Sequence, residues 1–596
     1  MSTYTAPLAD MRFALYDFLG AETLYARLPG CESATRDVID AVLEEAARLC
    51  EQVLAPLNAV GDQEGCRYDQ ATASVATPRG FKQAYEQFVG GGWSGLTAPA
   101  EFGGQGLPES MGALVKEMID SANLAWGTYP LLSHGATEAL KQHGEPWQQQ
   151  AFLKPIVEGR WTGTMCLTEP HCGTDLGLLK TRAEPAGDGV YRITGTKIFI
   201  TAGEHDFTEN IVHLVLARLP DAPAGTKGIS LFVVPKFKVA RDGSMGTRNA
   251  LACGAIEHKM GIKGSATCVM NFDGAEGYLV GQPHRGLAAM FTMMNTARLA
   301  VGLQGQALIE RAYQSALAYA RERLQMRALS GAKYPDKPAD PLIVHPDVRR
   351  MLLTQKAFSE GGRALGVYAY ALVDIQHHAA DEAERRRAEE LVSFLTPIVK
   401  GMLTEAAVEC TNHALQIYGG HGYIAENGME QFARDARITT IYEGTTQIQA
   451  LDLLGRKIMQ QQGAGLRHFL EEISAFCQAR AKDAALAEFI GPLAVAAKEW
   501  GDLTMALGKR AMENPEEVGA AAVDYLFYSG YVALAYVWAK SVAAAEASAQ
   551  DAGFKAAKRH TARFYFARLL PRTRAHRAAI EAGADSLLAM PDAQFG

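Results

Sequence analysis

Between Thr35 and Leu57 the apolar residues Val38, Val42, Leu49 and Val53 recur at helical spacing, with Ile39, Leu43, Cys50 and Leu54 beside them. This period predicts an amphipathic helix ending at Pro56. Helical patterning continues to about residue 150, interrupted by the Gly/Pro-rich stretch GGGWSGLTAPAEFGGQGLP at 90–108. From about 160 the period shortens: YRITGTKIFITAG, NIVHLVLARLP, KGISLFVVPKF and ATCVMNFDG are β-branched runs divided by Gly, Pro and Asp. They predict the strands of a compact antiparallel β domain. After Gly286 the helical period returns near 287–328, 343–376, 382–417 and 447–461, and short loops between such segments predict an antiparallel helix bundle. A Gln/Gly-rich joint, QQQGAGLRH, leads into an Ala-rich helical stretch that reaches the last residue. The chain therefore reads as α+β and multidomain: an N-terminal extension (1–34), an α-helical domain (35–159), a β domain (160–283), a bundle (284–460) and a C-terminal α-helical domain (461–596).

The length of 596 residues agrees with several domains at roughly 150 residues each. With 58 basic against 66 acidic residues and a net charge of −8, a global electrostatic grip on nucleic acid is excluded. Nine scattered cysteines without a C-x-x-C pair point to reduced thiols and give no zinc-site spacing. The N-terminal stretch MSTYTAPLADMRFALYDFLG has an early Asp10 and lacks the basic start and long apolar run of a secretory signal, so a cytoplasmic location is expected. YLFYSGYVALAYVWA (525–539) carries no charge between Asp524 and Lys540, yet falls short of the about 18 residues expected of a spanning segment. It predicts a buried bundle helix. Residues 555–577 hold eight Lys/Arg and no acid, a pattern open to an acidic partner, nucleic acid or anionic lipid. Interleaved Phe564, Tyr565, Phe566, Leu569 and Leu570 favour an amphipathic helix that packs one face and solvates the other.

A literal G-x-G-x-x-G at Gly90, Gly92 and Gly95 follows a helical pattern and leads into a loop, which is the wrong context for a dinucleotide fold. There is no P-loop, H-E-x-x-H or G-x-S-x-G, so NTPase, zinc-protease and common serine-hydrolase readings lose support. MCLTEPHCGTDLGLLKTRA (165–183) sets a strand before a turn of Thr168, Glu169, Pro170, Gly173, Thr174 and Asp175. Such a turn can aim backbone N–H groups and two hydroxyls at an anionic or heteroaromatic ligand, or can simply cap a loop. His171 beside Cys172 lacks the companions of a metal site. In QIYGGHGYIAENG and RDARITTIYEGTTQIQ, Gly419, Gly420 and Gly422 permit close backbone approach, and Thr445, Thr446 and Gln447 stand at a helix start. Glu443 lies there between an aromatic residue and a glycine. It reads as a solvated loop glutamate or as a partly desolvated base that takes a proton from carbon.

Six segments in order, GWSGLTAPAEFGGQGL (92–107), MCLTEPHCGTD (165–175), GTKIFITAG (195–203), KMGIKGSATC (259–268), QIYGGHGY (416–423) and RDARITTIYEGTTQIQ (434–449), resemble the acyl-CoA dehydrogenase family over roughly 35–460. The resemblance implies an N-terminal α domain, a middle β-barrel domain and a C-terminal four-helix bundle, here with an extra C-terminal α domain, and FAD as cofactor. By it, Met165, Leu167 and Thr168 match positions at the pyrimidine side of the flavin, and Thr201 the hydroxyl donor to flavin N5. Phe199 stands where many members have tryptophan, and Thr174 replaces a serine near the pyrophosphate and the acyl-CoA. Arg323, Gln416, Gly419 and Gly420 match contacts to the FAD of a neighbouring subunit, and Thr445 and Gln447 the other adenosine contacts; Met326 replaces a customary phenylalanine. A homodimer is thus implied, since in relatives with a long C-terminal extension the extra domain occupies the surface otherwise used to form a tetramer.

The resemblance makes Glu443 the base that removes the pro-R α-proton of a saturated acyl-CoA while the β-hydrogen leaves as hydride to N5, giving a trans-2-enoyl-CoA. The base's own backbone N–H, beside Gly444, helps polarise the thioester carbonyl. An alternative base position on NTARLAVG is Ala297, and Arg298 and Arg456 match positions near CoA. The N-terminal segment and the residues after Lys457 resemble the long bacterial branch that includes 3-methylmercaptopropionyl-CoA dehydrogenases and long fatty-acyl-CoA dehydrogenases. The implied electron acceptor is an electron-transfer flavoprotein, with no metal and no transmembrane segment. Rival readings are an acyl-CoA oxidase using oxygen and a DNA-binding relative acting through 555–577.

Overall fold

The structure, a computed structural model, describes residues 4–596 and divides into two compact units. One comprises Arg48–Leu107 and Ala122–Ala300; the other comprises the residues up to Ala47 with Pro108–Ser121 and Val301–Gly596.

The first unit is built on seven strands: β1 Trp161–Cys166, β2 Arg182–Gly187, β3 Val190–Thr201, β4 Asn210–Arg218, β5 Ile229–Pro235, β6 Leu251–Ile256 and β7 Thr267–Val280. Their bonded order is β6-β7-β3-β2-β4-β1, and β5 bonds both β4 and β7. A ring β2-β3-β7-β5-β4 therefore closes, with the pair Arg182 and Arg218 as its last joint. Most pairs are antiparallel, as the short β-branched runs predict. Two pairings correct that reading: β1 runs parallel to β4, from Trp161 against Asn210 to Cys166 against Val215, and the Arg182–Arg218 joint between β2 and β4 is parallel as well. The long excursion through β2 and β3 returns the chain to the same end of the sheet, which a tight hairpin cannot do. β4 and β5 are buried along almost their whole length, which explains their near-continuous apolar runs. Leu132, Ala136, Phe152, Met290 and Met293 pack into the same core. Behind β1, the Thr162 hydroxyl meets His205 Nε2 at 2.9 Å and the Thr164 hydroxyl meets His213 Nδ1 at 2.7 Å. Burial, with the nearby Lys236 ammonium, lowers both imidazoles to about 3, so they are neutral in the fold.

The helix read from Thr35 does not end at Pro56. Arg36–Leu49 passes through a widened π turn, Cys50–Leu54, into Ala55–Glu64. Proline lacks an N–H and its ring collides with the carbonyl one turn back, and the wider turn accommodates both. The buried stripe is also shifted by one residue from the predicted one: Ile39, Leu43, Ala46, Cys50 and Leu54 are covered, whereas Val38 is exposed.

The second unit is helical. Its bundle contains α1 Gly286–Glu322 from Val301 onward, α2 Pro346–His378, α3 Glu382–Tyr418, α4 Met429–Thr439 and α5 Thr446–Leu451, which continues as a π turn to Gln460. The C-terminal part adds α6 Ala464–Arg480, α7 Ala487–Glu513, α8 Glu516–Ala547, α9 Ala552–Phe564 and α10 Thr573–Glu581. The uncharged stretch 525–539 is the centre of α8, and its tyrosines are buried, as a bundle helix requires. Trp538 Nε1 donates to the Ala357 carbonyl of α2 at 3.1 Å. Among the described residues, two helical segments, Glu382–Tyr423 and Glu516–Ala547, are long and apolar enough to cross a membrane by composition, and most of the apolar stretch in each is covered by the protein itself.

Charges tie both chain ends to the bundle. Arg363 of α2 bonds Asp10, Glu117 at 2.5 Å and Glu310 at 3.0 Å, and Lys558 of α9 bonds Asp10 and, at 2.8 Å, Glu360. Burial alone would raise the Asp10 carboxyl, but Lys558 and Arg363 bring it down to about 2. Much of the basic stretch 555–577 is internally balanced: besides Lys558, Arg559 and Arg563 pair with Glu488, Arg572 with Glu409, and Arg577 with Glu499 and Glu581. Tyr565, Leu569 and Leu570 are buried, as the amphipathic reading predicts.

Candidate active site

In the sheet unit, β1 delivers Met165 and releases the chain at Leu167 into the turn read from sequence. Glu169 fixes that turn from inside. Its carboxylate accepts from the N–H groups of Lys180 (2.7 Å) and Thr181 (3.0 Å), from the Thr181 hydroxyl and from Lys197 Nζ at 2.8 Å. Lys197, fully buried on β3, also donates to the Leu167 carbonyl at 2.9 Å, and the Ile198 N–H donates to the Thr168 carbonyl. Burial alone would raise the Glu169 carboxyl; Lys197 and the other donors lower it to about 2. Glu169, His171 and Cys172 bring donor atoms within 4.8 Å of one another, the one such group of three among the described residues. With the Lys197 ammonium on that carboxylate, the cluster is an ion pair and not a cation cage.

These bonds bring Met165, Leu167 and Thr168 beside the strand that carries Phe199 and Thr201. The β3–β7 register slips between Cys268 and Met270, and at this bulge Phe199 takes φ 59° and is 59% exposed. A left-handed backbone at a residue with a side chain costs about 1–2 kcal/mol, and such positions gather at functional sites. The hydroxyls of Thr168, Thr174 and Thr201 make no hydrogen bond to other described residues.

In the helical unit the loop between α4 and α5 holds Glu443, half-buried, at φ 54°, followed by Gly444 at φ 90°. Both carbonyls are anchored. Lys400 Nζ of α3 donates to the Gly444 oxygen at 2.7 Å, and Gln449 Nε2 donates to the Glu443 oxygen at 3.0 Å. The φ of 90° at Gly444 strains any residue with a side chain, and a Cβ there would also displace Gln449 Nε2, 2.8 Å away. The Thr446 hydroxyl donates to Glu405, also on α3, and Thr445 caps α5 by accepting from the Ile448 N–H. Gln447 is exposed.

A third group assembles where α1 and α3 end. The rings of Tyr319 and Tyr418 stack with centroids 4.1 Å apart, and Tyr319 Oη meets His421 Nδ1 at 2.8 Å. This joins the turn bearing Arg323 to the segment Gln416–Tyr423. Arg323 is exposed and makes no ion pair among the described residues. Met326, at φ 60°, is 75% exposed and Tyr423 83% exposed. Asp340 pins the loop after Arg323, accepting from the N–H groups of Ala328, Lys333 and Tyr334. Gly420 has no atom near enough to touch a Cβ, so nothing within the described chain demands glycine there and its backbone faces open space. Of the remaining expected contacts, Arg298 is buried against the Phe291 ring, and Arg456 is held by Asp452 at 2.5 Å.

Four family models match in sequence: acyl-CoA dehydrogenase N-terminal domain over 37–160, middle domain over 164–275 and C-terminal domain over 284–459, then acetyl-CoA dehydrogenase C-terminal like over 469–591. The chain belongs to the acyl-CoA dehydrogenase family. It is 45% identical to 3-methylmercaptopropionyl-CoA dehydrogenase of Ruegeria pomeroyi, across 98% of this chain and 99% of that one. It is 34% identical to the broad-specificity linear acyl-CoA dehydrogenase FadE5 of Mycobacterium tuberculosis over the whole of both chains. An acyl-CoA dehydrogenase from Bacillus anthracis solved with FAD superposes with a TM-score of 0.74 at 18% identity, covering 98% of this chain and 93% of that one, a likeness of fold.

As an acyl-CoA dehydrogenase the chain is an oxidoreductase. The hydrogen bonds described above include contacts that the sequence does not announce. Glu169 was visible within the turn, but not as its anchor, because its partner Lys197 lies on another strand. Lys400 and Gln449 were missed altogether. A signal for Lys400 exists: it is the one charged residue from Leu391 to Thr404, placed where the helical period calls for core.

Proposed function

We propose that this acyl-CoA dehydrogenase is FAD-dependent and oxidises 3-methylthiopropanoyl-CoA, or a medium- or long-chain fatty acyl-CoA, to the trans-2-enoyl thioester. The observation that carries this reading is the mounted loop around Glu443: a carboxylate on a left-handed backbone whose flanking carbonyls are tied to Lys400 and Gln449. The 45% identity to a 3-methylmercaptopropionyl-CoA dehydrogenase supports the methylthio substrate in particular.

The donor set fits the cofactor. Thr168, Thr174 and Thr201 offer uncommitted hydroxyls, Arg323 an exposed cation suited to a pyrophosphate, and Gly419 and Gly420 open backbone. Met165, Leu167 and Phe199 supply apolar contact to the ring, and Thr445 and Gln447 polar contact to the adenosine part. When bound, FAD supplies the two-electron acceptor for the β-hydrogen. Glu443 takes the pro-R α-proton, and its backbone N–H donates to the thioester oxygen, where charge develops as the proton leaves. Thr174, Gly444, Arg298 and Arg456 complete the acyl-CoA contacts.

Arg323, Gln416, Gly419 and Gly420 serve the cofactor of a second copy, making the working assembly a homodimer. Exposed Met326, Leu329, Tyr423 and Ile424 around them are the apolar surface such a contact covers. An electron-transfer flavoprotein takes the electrons, in the cytoplasm. A series of saturated acyl-CoAs that includes the methylthio thioester, read anaerobically by flavin bleaching, tests the substrate; a flat response to every thioester refutes the dehydrogenase chemistry. Reoxidation by the flavoprotein faster than by oxygen separates dehydrogenase from oxidase.

A further inference from the structure

Lys400 is an unusual core residue. It sits in the middle of α3, fully buried, in a stretch whose neighbours are apolar or small. Removing an ammonium from water is costly unless its hydrogen bonds are remade inside, so its place needs a reason. The reason on view is the Gly444 carbonyl, 2.7 Å away. One turn further along α3, Glu405 takes the Thr446 hydroxyl. The same helix thus grips both sides of the short segment that follows Glu443, and Gln449 holds the Glu443 carbonyl from α5.

The turn that carries Lys400 is itself immobilised. A Cβ on Gly302 of α1 would come within 2.6 Å of Val399, and one on Gly530 of α8 within 2.7 Å of Met402. The residues on either side of Lys400 are therefore packed against helices from the bundle and from the C-terminal part. An interior so tightly packed allows the ammonium little lateral freedom.

We propose that Lys400 is a positioning residue for the dehydrogenation: by fixing the Gly444 carbonyl it locks Glu443 in its left-handed conformation and sets where the carboxylate and the Glu443 N–H stand. This rests on Glu443 being the base. In this role Lys400 acts through the Gly444 carbonyl and not as an acid or base. Without its bond, the Glu443–Gly444 pair relaxes towards an ordinary backbone, moving the carboxylate by an amount that matters for proton transfer, where a displacement of about 1 Å can cost about a hundredfold in rate.

The test is Lys400→Met, which keeps length and apolar bulk but removes the donor, studied as flavin-loaded full-length protein with rates expressed per bound flavin. The expected result is a kcat lower by about ten- to a hundredfold with KM changed less than about threefold. Amide hydrogen exchange across 440–449 should rise at the same time. A kcat within about twofold of the parent overturns the proposal, as does a loss confined to KM or to thermal stability. Gln449→Met, which frees the Glu443 carbonyl instead, is expected to show the same split. If neither variant yields folded flavoprotein, the contacts serve folding and the positioning role falls. Glu443→Gln in the same assay keeps the two readings apart: if it retains turnover the base assignment fails, whereas an inactive Glu443→Gln beside a fully active Lys400→Met sinks only the role of Lys400.

Discussion

Two short segments, one in each unit, are mounted on a buried lysine, but in different ways. In the turn after β1, Lys197 meets a carboxylate, and Glu169 fills its remaining lone pairs with two N–H groups and a hydroxyl. In the loop before α5, Lys400 meets a backbone carbonyl, and the carboxylate of that loop, Glu443, stands on a strained backbone beside it. The first arrangement is a closed electrostatic knot that fixes a surface of hydroxyls. The second fixes the main chain of the loop that carries Glu443. A tethered backbone is common to both, and the carboxylate's duty separates them: Glu169 is spent on structure, whereas the proposed function makes Glu443 the base.

Changing one carboxylate in each segment sharpens this contrast most. Glu443→Gln should keep the fold, the flavin and the melting temperature while turnover of a saturated acyl-CoA falls by about a thousandfold or more, measured by steady-state kinetics. Glu169→Gln should do the reverse. It leaves Lys197 buried without its counter-charge, a loss of about 3–5 kcal/mol measured by denaturant unfolding. The double replacement Glu169→Leu with Lys197→Met should be milder than either single change, because no orphan charge remains.

A third lysine extends the comparison. Lys558 shares Asp10 with Arg363, so Asp10→Asn should destabilise by about 2–3 kcal/mol, less than Glu169→Gln because Glu360 still serves Lys558. Limited proteolysis should then cut first near the N-terminus. The wall behind β1 responds to acid. His205 and His213 bind protons near pH 6.5 when unfolded but only near 3 in the fold, so the unfolded chain holds more protons between those values. Stability should fall as pH drops through that window, by about 1.4 kcal/mol per pH unit for each histidine, and His205→Gln should flatten the slope. Smallest of all, Arg577→Ala at an exposed pair should change stability by less than about 1 kcal/mol.

Much of the scaffold could be read from the period of apolar residues, because helices and strands of this length repeat their burial many times. The π turn at Pro56 escaped that reading, since a wider turn leaves no mark on the period beyond the proline that requires it. The parallel placement of β1 escaped it too, because pairing across two intervening strands is a long-range choice. The acyl-CoA dehydrogenase motifs pointed to Thr168, Thr201 and Glu443 through local sequence. Lys197, Lys400 and Gln449 were illegible for the opposite reason: each acts on a segment distant in sequence or around a helical turn, and its partner in two of the three is a backbone carbonyl, which every residue possesses. The left-handed backbones of Phe199 and Glu443 were likewise hidden, since neither residue type favours that conformation.

The central claim is that Glu443 takes the α-proton. It is tested most directly with an acyl-CoA carrying sulfur at the β position, which has no β-hydrogen to lose, by following deuterium uptake at its α-carbon in heavy water. The account predicts steady exchange by the parent enzyme and exchange about a thousandfold slower by flavin-loaded Glu443→Gln. Exchange by that variant at the parent rate would contradict it.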